Sequence, residues 1–455
     1  MAYNFKTLHR EQIYLMPPSL TDWLPPDHFA SFVLDIVDQL DLADLYGAYR
    51  QDGVGNSAYN PAMMLSVLFY AYAQGERSSR RIEALCHTDI AFRLLSANQT
   101  PDHTSLSRFR QRHQSALSKL FVQALALCQK AGLVRVGVIA LDGSKVSANA
   151  ALAANRTTEA LAKEVGKILA QAEATDASED QIYGPTNRGD ELPAGLRQRA
   201  SRLARLRECQ EQLKKEAAAA QAPHQAKVQA YQHKLEQSGK RPRGRPPMPT
   251  QAKEDKVRRA NPTDPESRVQ KNKAGHLQGY NPQLVVSQDQ IILAAQAGAE
   301  QTDYGQLCPM LKQTRENLRA AHVKERPKVL VADAGYWSES NAAAGGRTQL
   351  EVLLGTSKDY KRWKGLREQC PPRGRIPHHL NAKERMQRKL QTKRGRRRYA
   401  LRRQTVEPVF GQIKEAMKFR RFSRRGQEAV QSEWRIICTV HNLLKLWRYQ
   451  ANQNG

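Results

Sequence analysis

Two aspartates each close a short apolar run: Asp142 ends V-R-V-G-V-I-A-L-D-G, and Asp333 ends K-V-L-V-A-D. Were those runs neighbouring parallel strands, the two carboxylates would meet at one edge of a sheet. Like charges that close raise one another's pKa unless a divalent cation stands between them. Oxygen ligands with open positions suit magnesium or manganese, and zinc less well. A third acid would complete such a site, and Glu407 in V-E-P-V-F-G-Q-I-K is the candidate. At helical spacing Glu407, Phe410, Gly411 and Lys414 share one face, with an acid, a packing ring, a glycine and a lysine in one row. Taken singly, an aspartate before glycine is commonly a turn former, and a glutamate before Pro408 a helix-start acid. Three such acids in a basic chain favour a metal site.

The elements that must position these acids change period along the chain. Residues 1–130 read as helical: Val33, Ile36, Val37 and Leu40 share a face, and Asn60-Pro61 opens an apolar helix that Gly75 ends. Ser78 or Ser79 caps a further helix, and Thr104 caps a basic one carrying Arg108, Arg110 and Arg112. Three short helices ending in a basic one suit either a helix-turn-helix reader or a helical packing module. Beyond this region, the strand ending at Asp142 is followed by a hairpin over 280–299 and a helix over 304–322. The strand ending at Asp333, a short helix, the strand Q-L-E-V-L-L-G-T and further helix complete the order. The pattern predicts an α/β fold, a mixed sheet flanked by helices. Residues 150–271 form an insertion after the first strand. Leu196, Leu203, Leu206 and Leu213 give it a narrow apolar seam, read as an intramolecular helical hairpin; its helix is expected to stop at Pro223 and a second to run over 225–237.

The 455 residues carry 72 lysines and arginines against 44 acids, a formal charge of +28. That excess attracts polyanions and makes nucleic acid the expected partner. No apolar run is long enough to cross a bilayer and the N-terminus lacks a signal pattern, so no membrane is expected. Six scattered cysteines without a C-x-x-C pair fit a reducing cytoplasm. Between Arg385 and Arg425 stand 16 basic residues and two acids, Glu407 and Glu415, so the charge brackets the candidate glutamate. The ribbon K-R-P-R-G-R-P-P-M-P cannot be helix or strand, and centres on Arg243-Gly244-Arg245-Pro246. On its own it reads as a charged linker rather than as an AT-hook-like finger for the minor groove, and only the resemblance given below puts the two on equal terms.

Several motifs, in order, resemble the DDE transposases of bacterial insertion sequences, and more narrowly the group named insertion sequence eleven-eighty-two. R-E-Q-I-Y-L-M-P-P-S-L, G-E-R-S-S-R-R-I-E-A-L-C and P-D-H-T-S-L-S-R-F-R are similar to that group's N-terminal part. D-G-S-K-V-S-A-N, D-P-E-S-R-V with G-Y-N-P-Q, A-D-A-G-Y, V-E-P-V-F-G-Q-I-K, F-R-R-F-S-R-R-G and E-W-R-I-I-C-T-V-H-N-L-L-K-L are similar to its core and tail.

The resemblance implies an RNase H-like core in which Asp142, Asp333 and Glu407 are the catalytic acids and bind two Mg2+ or Mn2+ ions. It implies a helical DNA-binding domain over 1–130, core over 131–150, the helical insertion with its ribbon over 151–271, and the remaining core with C-terminal helices over 272–455. Arg403, Glu407 and Lys414 keep the spacing of a signature around the third acid, while Tyr399 lies one residue too far upstream. Arg403, Lys414, Arg243, Arg245, Arg108 and Arg110 are the expected DNA contacts. The implied activity is cleavage and strand transfer on double-stranded DNA, by a homodimer joining two element ends beside the nucleoid. A DNA binder without catalysis and a nuclease without strand transfer are the alternatives.

Overall fold

The computed structural model describes residues 19–50, 57–183, 194–239, 241, 246–247, 259–272, 275–346, 349–357, 365 and 370–454. Seven helices come first: α1 (Phe29–Asp38), α2 (Ala43–Tyr46), α3 (Pro61–Ala73), α4 (Ser79–Thr88), α5 (Ile90–Leu95), α6 (His103–Arg112) and α7 (Gln114–Lys130). α3 begins where the Asn60 side chain accepts from the amides of Ala62 and Met63, with Pro61 in the first turn. It is apolar all round because it is buried all round, from Met64 to Tyr72. Gly75, at φ 77°, lets the chain leave it. The cap of α6 is Asp102, whose Oδ1 accepts from the amides of Thr104 and Ser105 at 2.9 Å each. Thr104, expected as the cap, lies inside the helix. Aspartate reaches both amides from two residues earlier, which a threonine already in helical geometry cannot do.

The sheet is built from β1 (Val138–Gly143), β2 (Val146–Ser147), β5 (Arg268–Asn272), β6 (Gly275–Ser287), β7 (Ile292–Gly298), β8 (Val329–Ala332) and β9 (Glu351–Leu354); β3 (Arg156–Thr157) and β4 (Arg259–Ala260) form a separate two-stranded ladder. β6 is the long member. Its first half pairs with β2 and β5, its second half antiparallel with β1 and β7. β1 pairs parallel with β8, and β8 parallel with β9. The order across the main body is therefore β7, β6, β1, β8, β9. β8 and β9 are near-continuous apolar runs because both faces are covered.

Among the described residues five later helices follow: α10 (Leu307–Ala320), α11 (Glu339–Ala343), α12 (Ala382–Gln391), α13 (Lys393–Gly411) and α14 (Gln427–Asn454). α10 packs on β6 and β7, and α13 on β1, β6 and β8. α14 packs on β7 with one side and on α7 and α3 with another, so the N-terminal helices and the sheet share one hydrophobic core. Asn442 ties α14 to the edge strand: its side-chain amide accepts from the Ile292 amide at 2.8 Å and donates to the Ile292 carbonyl at 2.9 Å.

Between β3 and β4 the chain forms α8 (Thr158–Tyr183) and α9 (Ala194–Ser238). They pack on each other around Leu161, Leu206, Cys209 and Leu213, with Ala260, a small core apart from the main one. This is the expected helical hairpin. α9, however, runs unbroken through Pro223, where a stop was expected. An interior proline removes one helical hydrogen bond, and the many others of a 45-residue helix carry the backbone through. Residues 240, 242–245 and 248–249 of the basic ribbon, with Arg243 and Arg245, lie outside the described residues.

Candidate functional site

β1 and β8 run side by side in register, Leu141 opposite Ala332, so the next residue on each is an aspartate at the same sheet edge. Strands about 4.8 Å apart thus bring Asp142 and Asp333 together, although 190 residues separate them along the chain. Each carboxylate is steadied by local backbone: Asp142 Oδ1 accepts from the Gly143 amide at 2.9 Å, and Asp333 Oδ1 from the Gly335 amide at 2.7 Å.

α13 supplies the third acid, in a way the sequence pattern did not predict. The helix starts at Lys393, its N-cap Thr392 accepting from the Gly395 amide, so Glu407 stands near its far end with Pro408 inside it. Glu407 is therefore no helix-start acid. Pro408 has no amide to give the carbonyl four residues back, that of Gln404, and Gln290 Nε2 donates to that carbonyl at 2.9 Å instead. Beyond Gly411 the helix widens into a π-turn over Gln412–Ala416. Such turns re-aim side chains within a helix. Here Lys414 Nζ donates to Ser144 Oγ, two residues past Asp142. Phe410 is buried as packing.

The side chain that joins the acids is Arg402. Its Nη1 donates to Asp142 Oδ2 at 2.8 Å and its Nη2 to Glu407 Oε1 at 2.9 Å. Arg403, the arginine expected at the site, points into solvent. Consecutive helical residues are turned about 100° apart, so only one of two adjacent arginines can face the sheet edge. Tyr399 lies at the same edge, its hydroxyl beside Gly355 just after β9.

Burial pushes the Asp142 carboxyl up to about 7; Arg402 opposes this, while Asp333 and Asp303 add to it. For Arg402 burial works against the charge, but Asp142, Tyr399 and Glu407 outweigh it and raise its pKa. Burial and then Arg420 lower that of Lys414. The carboxylate oxygens at this edge have the hardness a divalent cation requires. Asp142 and Asp333 fit such an ion. Glu407 stands on the far side of the Arg402 guanidinium, and among the described residues no three acid, histidine or cysteine side chains gather closely enough to hold one metal. The guanidinium supplies between Asp142 and Glu407 the positive charge that an ion would bring.

The remaining candidates divide. Arg108 is exposed on α6. Arg110, expected as a DNA contact, is 7% exposed and points into the helical region. It donates to the Tyr72 hydroxyl at 3.2 Å, to the Arg77 carbonyl at 2.9 Å and to Ser79 Oγ. A guanidinium so engaged cannot also reach a phosphate, and the expectation for Arg110 is withdrawn. Sequence reasoning missed Arg402, Ser144 and a fourth acid, Asp303. Ser144 was within reach, since D-G-S-K follows Asp142 directly; Arg402 and Arg403 are indistinguishable by type.

A basic helix-and-sheet protein with acids at adjacent strand ends has a charge that attracts polyanions. Comparison with known families narrows this. Residues 18–112 match the model described as a transposase domain (DUF772), and residues 366–447 the model of a transposase DDE domain. The two matches support an insertion-sequence DDE transposase. No curated protein and no solved structure matches it. No helix among the described residues is long and apolar enough to cross a membrane.

Proposed function

We propose that this transposase binds the ends of an insertion sequence of the eleven-eighty-two-like group and catalyses DNA cleavage and strand transfer, with Asp142, Asp333 and Glu407 as its catalytic acids. The observation that carries the reading is the placement of Asp142 and Asp333 at one edge of adjacent parallel strands, with Arg402 linking Asp142 to Glu407. An RNase H-like core is supported by the strand order: three antiparallel strands, β7, β6 and β1, followed on the other side of β1 by two parallel ones, β8 and β9.

Cleaving a phosphodiester requires a nucleophilic oxygen in line with the leaving oxygen and stabilisation of both. Asp142 and Asp333, joined by Glu407 where the ions displace the Arg402 guanidinium from between the acids, would hold two Mg2+ or Mn2+ ions, whose charge would activate a water or a 3′-hydroxyl and support the leaving oxygen. The chain's own groups place the DNA. Lys414 borders the acids and would neutralise a phosphate beside the scissile one, and Arg403, exposed on the outer face of α13, would meet one further out. Arg108 and the ribbon arginines Arg243 and Arg245 extend the contact away from the acids. Two ends joined in one reaction call for a homodimer on DNA.

The test is incubation of the purified chain with a duplex carrying the inverted repeat that flanks its reading frame, a supercoiled target and Mg2+ or Mn2+. Cut ends joined to target are the expected products. Asp142→Asn, Asp333→Asn and Glu407→Gln should each lower cleavage at least about a thousandfold, ~4 kcal/mol of barrier, with binding retained. Cutting without joining would leave a nuclease, and binding alone a non-catalytic DNA protein.

A further inference from the structure

The acid that the motif comparison does not supply is Asp303, between the hairpin and α10. Its Oδ1 accepts from Asn281 Nδ2 at 2.7 Å and from Gln283 Nε2 at 3.1 Å, and Lys145 Nζ lies 3.6 Å away. Both amides belong to β6, and both side chains are buried, Asn281 at 2% and Gln283 at 1% exposure. Gln283 is opposite Gly143 in the ladder. A Cβ on Gly143 would lie 2.1 Å from Gln283 Nε2, so the amide is pressed against the backbone that follows Asp142. Its other end accepts from the hydroxyl of Tyr336, a wholly buried side chain on the turn that Asp333 caps.

A second route joins the same two loops. Asn341 Nδ2 donates to the Tyr304 carbonyl at 2.6 Å and to the Tyr336 carbonyl at 2.8 Å, pinning the residue after Asp303 to the Asp333 turn. Gly335 permits the approach: a Cβ there would meet Asp333 Oδ1 at 2.9 Å and Asp303 Oδ2 at 3.1 Å. The Gln283 amide, bonded at both ends, is rigid because each broken bond would strand a polar group out of water, costing about 1–3 kcal/mol, whereas Asn281 Oδ1 is buried without a partner.

We propose that Asp303 is a positioning residue of the cleavage site, locking Gln283 against the end of β1 and, through Tyr336, fixing the turn that carries Asp333. The proposal rests on the catalytic reading of Asp142 and Asp333. Asp303 acts through hydrogen bonds that its Oδ1 accepts, and an asparagine oxygen can accept the same two. Charge and position are therefore separable by substitution.

The experiment compares Asp303→Ala, Asp303→Asn and Tyr336→Phe in the full chain. One arm is single-turnover cleavage of the terminal-repeat duplex at saturating DNA with Mg2+; the other is amide hydrogen exchange over residues 333–337 in metal-free protein. Asp303→Ala should slow cleavage about 10–100-fold, the range for partners that orient active groups, and speed exchange of the turn, with DNA affinity unchanged. Asp303→Asn should recover most of both losses. Tyr336→Phe, which removes one hydroxyl from a chain left otherwise whole, should show the same losses to a smaller degree. Equal damage from Asp303→Asn and Asp303→Ala would overturn the proposal in favour of a need for the charge itself, and a wild-type turn in Asp303→Ala would overturn it outright. If the wild-type chain cleaves nothing, the functional reading fails, and the exchange arm still decides the role of Asp303.

Discussion

The N-terminal helices and the acid-bearing sheet edge both place arginines in consecutive or near-consecutive positions, and the two regions use them in opposite ways. On α6, Arg108 is exposed while Arg110 is consumed by neutral acceptors in the interior. Next to it Arg77 donates to the carbonyls of Met417 and Lys418 at 3.2 and 3.1 Å and lies 5.1 Å from the centre of the Phe419 ring. Arg424 donates back to the Arg110 carbonyl at 3.0 Å. Two guanidiniums, those of Arg77 and Arg424, thus join the N-terminal helices to the segment after the π-turn. On α13 the pattern inverts: Arg402 turns inward to two carboxylates and Arg403 outward. A formal charge of +28 is thus no measure of charge offered to DNA. What burial leaves unpaired sets that quantity.

The comparison breaks most visibly at α13. Arg402→Ala strips Asp142 of its counter-charge and should destabilise metal-free protein by ~2 kcal/mol, below the 3–5 of a wholly buried pair because Glu407 is half exposed. Added Mn2+ should then raise the melting temperature of Arg402→Ala more than that of wild type. Arg403→Ala should leave melting unchanged in either condition. Equal responses of the two variants would remove Arg402 from the site.

A pH titration probes the interior under α14. Burial depresses the His441 pKa to about 4, its ring nitrogen bonded to the Gln290 carbonyl at 3.0 Å. The unfolded chain binds this proton from about pH 6.5 downward and the folded chain only near 4, so stability falls as pH drops through that window. The loss amounts to at most ~3 kcal/mol by pH 4. Denaturant unfolding of His441→Gln across pH 4–7 should show a slope shallower than wild type by about one proton.

On α6, Arg110→Ala should cost ~1–3 kcal/mol through the acceptors it strands, with no change in the salt dependence of DNA binding. Arg108→Ala should do the reverse, leaving stability alone and reducing the salt slope by about 1. The smallest expected effect is in the ribbon. Arg243→Ala with Arg245→Ala should weaken binding and its salt slope by about 2, while cleavage at saturating DNA persists. A loss of cleavage there would give the ribbon a role in the chemistry.

Much of the sheet was legible because its signals are local. Apolar runs stopped by Asp142 and Asp333, and the turn between 287 and 292, each mark an element within ten residues. Less was legible at the ends of helices. Asp102 and Thr104 are both good caps, and Glu407 before Pro408 has the signature of a helix start, yet α13 had begun fourteen residues earlier. The carbonyl left by Pro408 is met by Gln290, more than a hundred residues away, and no window along the chain contains that partner.

The amino-acid order alone determined that this chain is basic, that it has a helical part ahead of a mixed sheet, and that two aspartates end buried strands. Composition and short-range periodicity carry those facts, and each survives without knowledge of any distant contact. The tertiary structure decided which arginine faces the acids, that Arg110 is interior, and that Asp303, Gln283 and Tyr336 join the site. Those outcomes follow from helix rotation and from hydrogen bonds between residues far apart in sequence. Such bonds exist only once the sheet has set β1, β6 and β8 side by side.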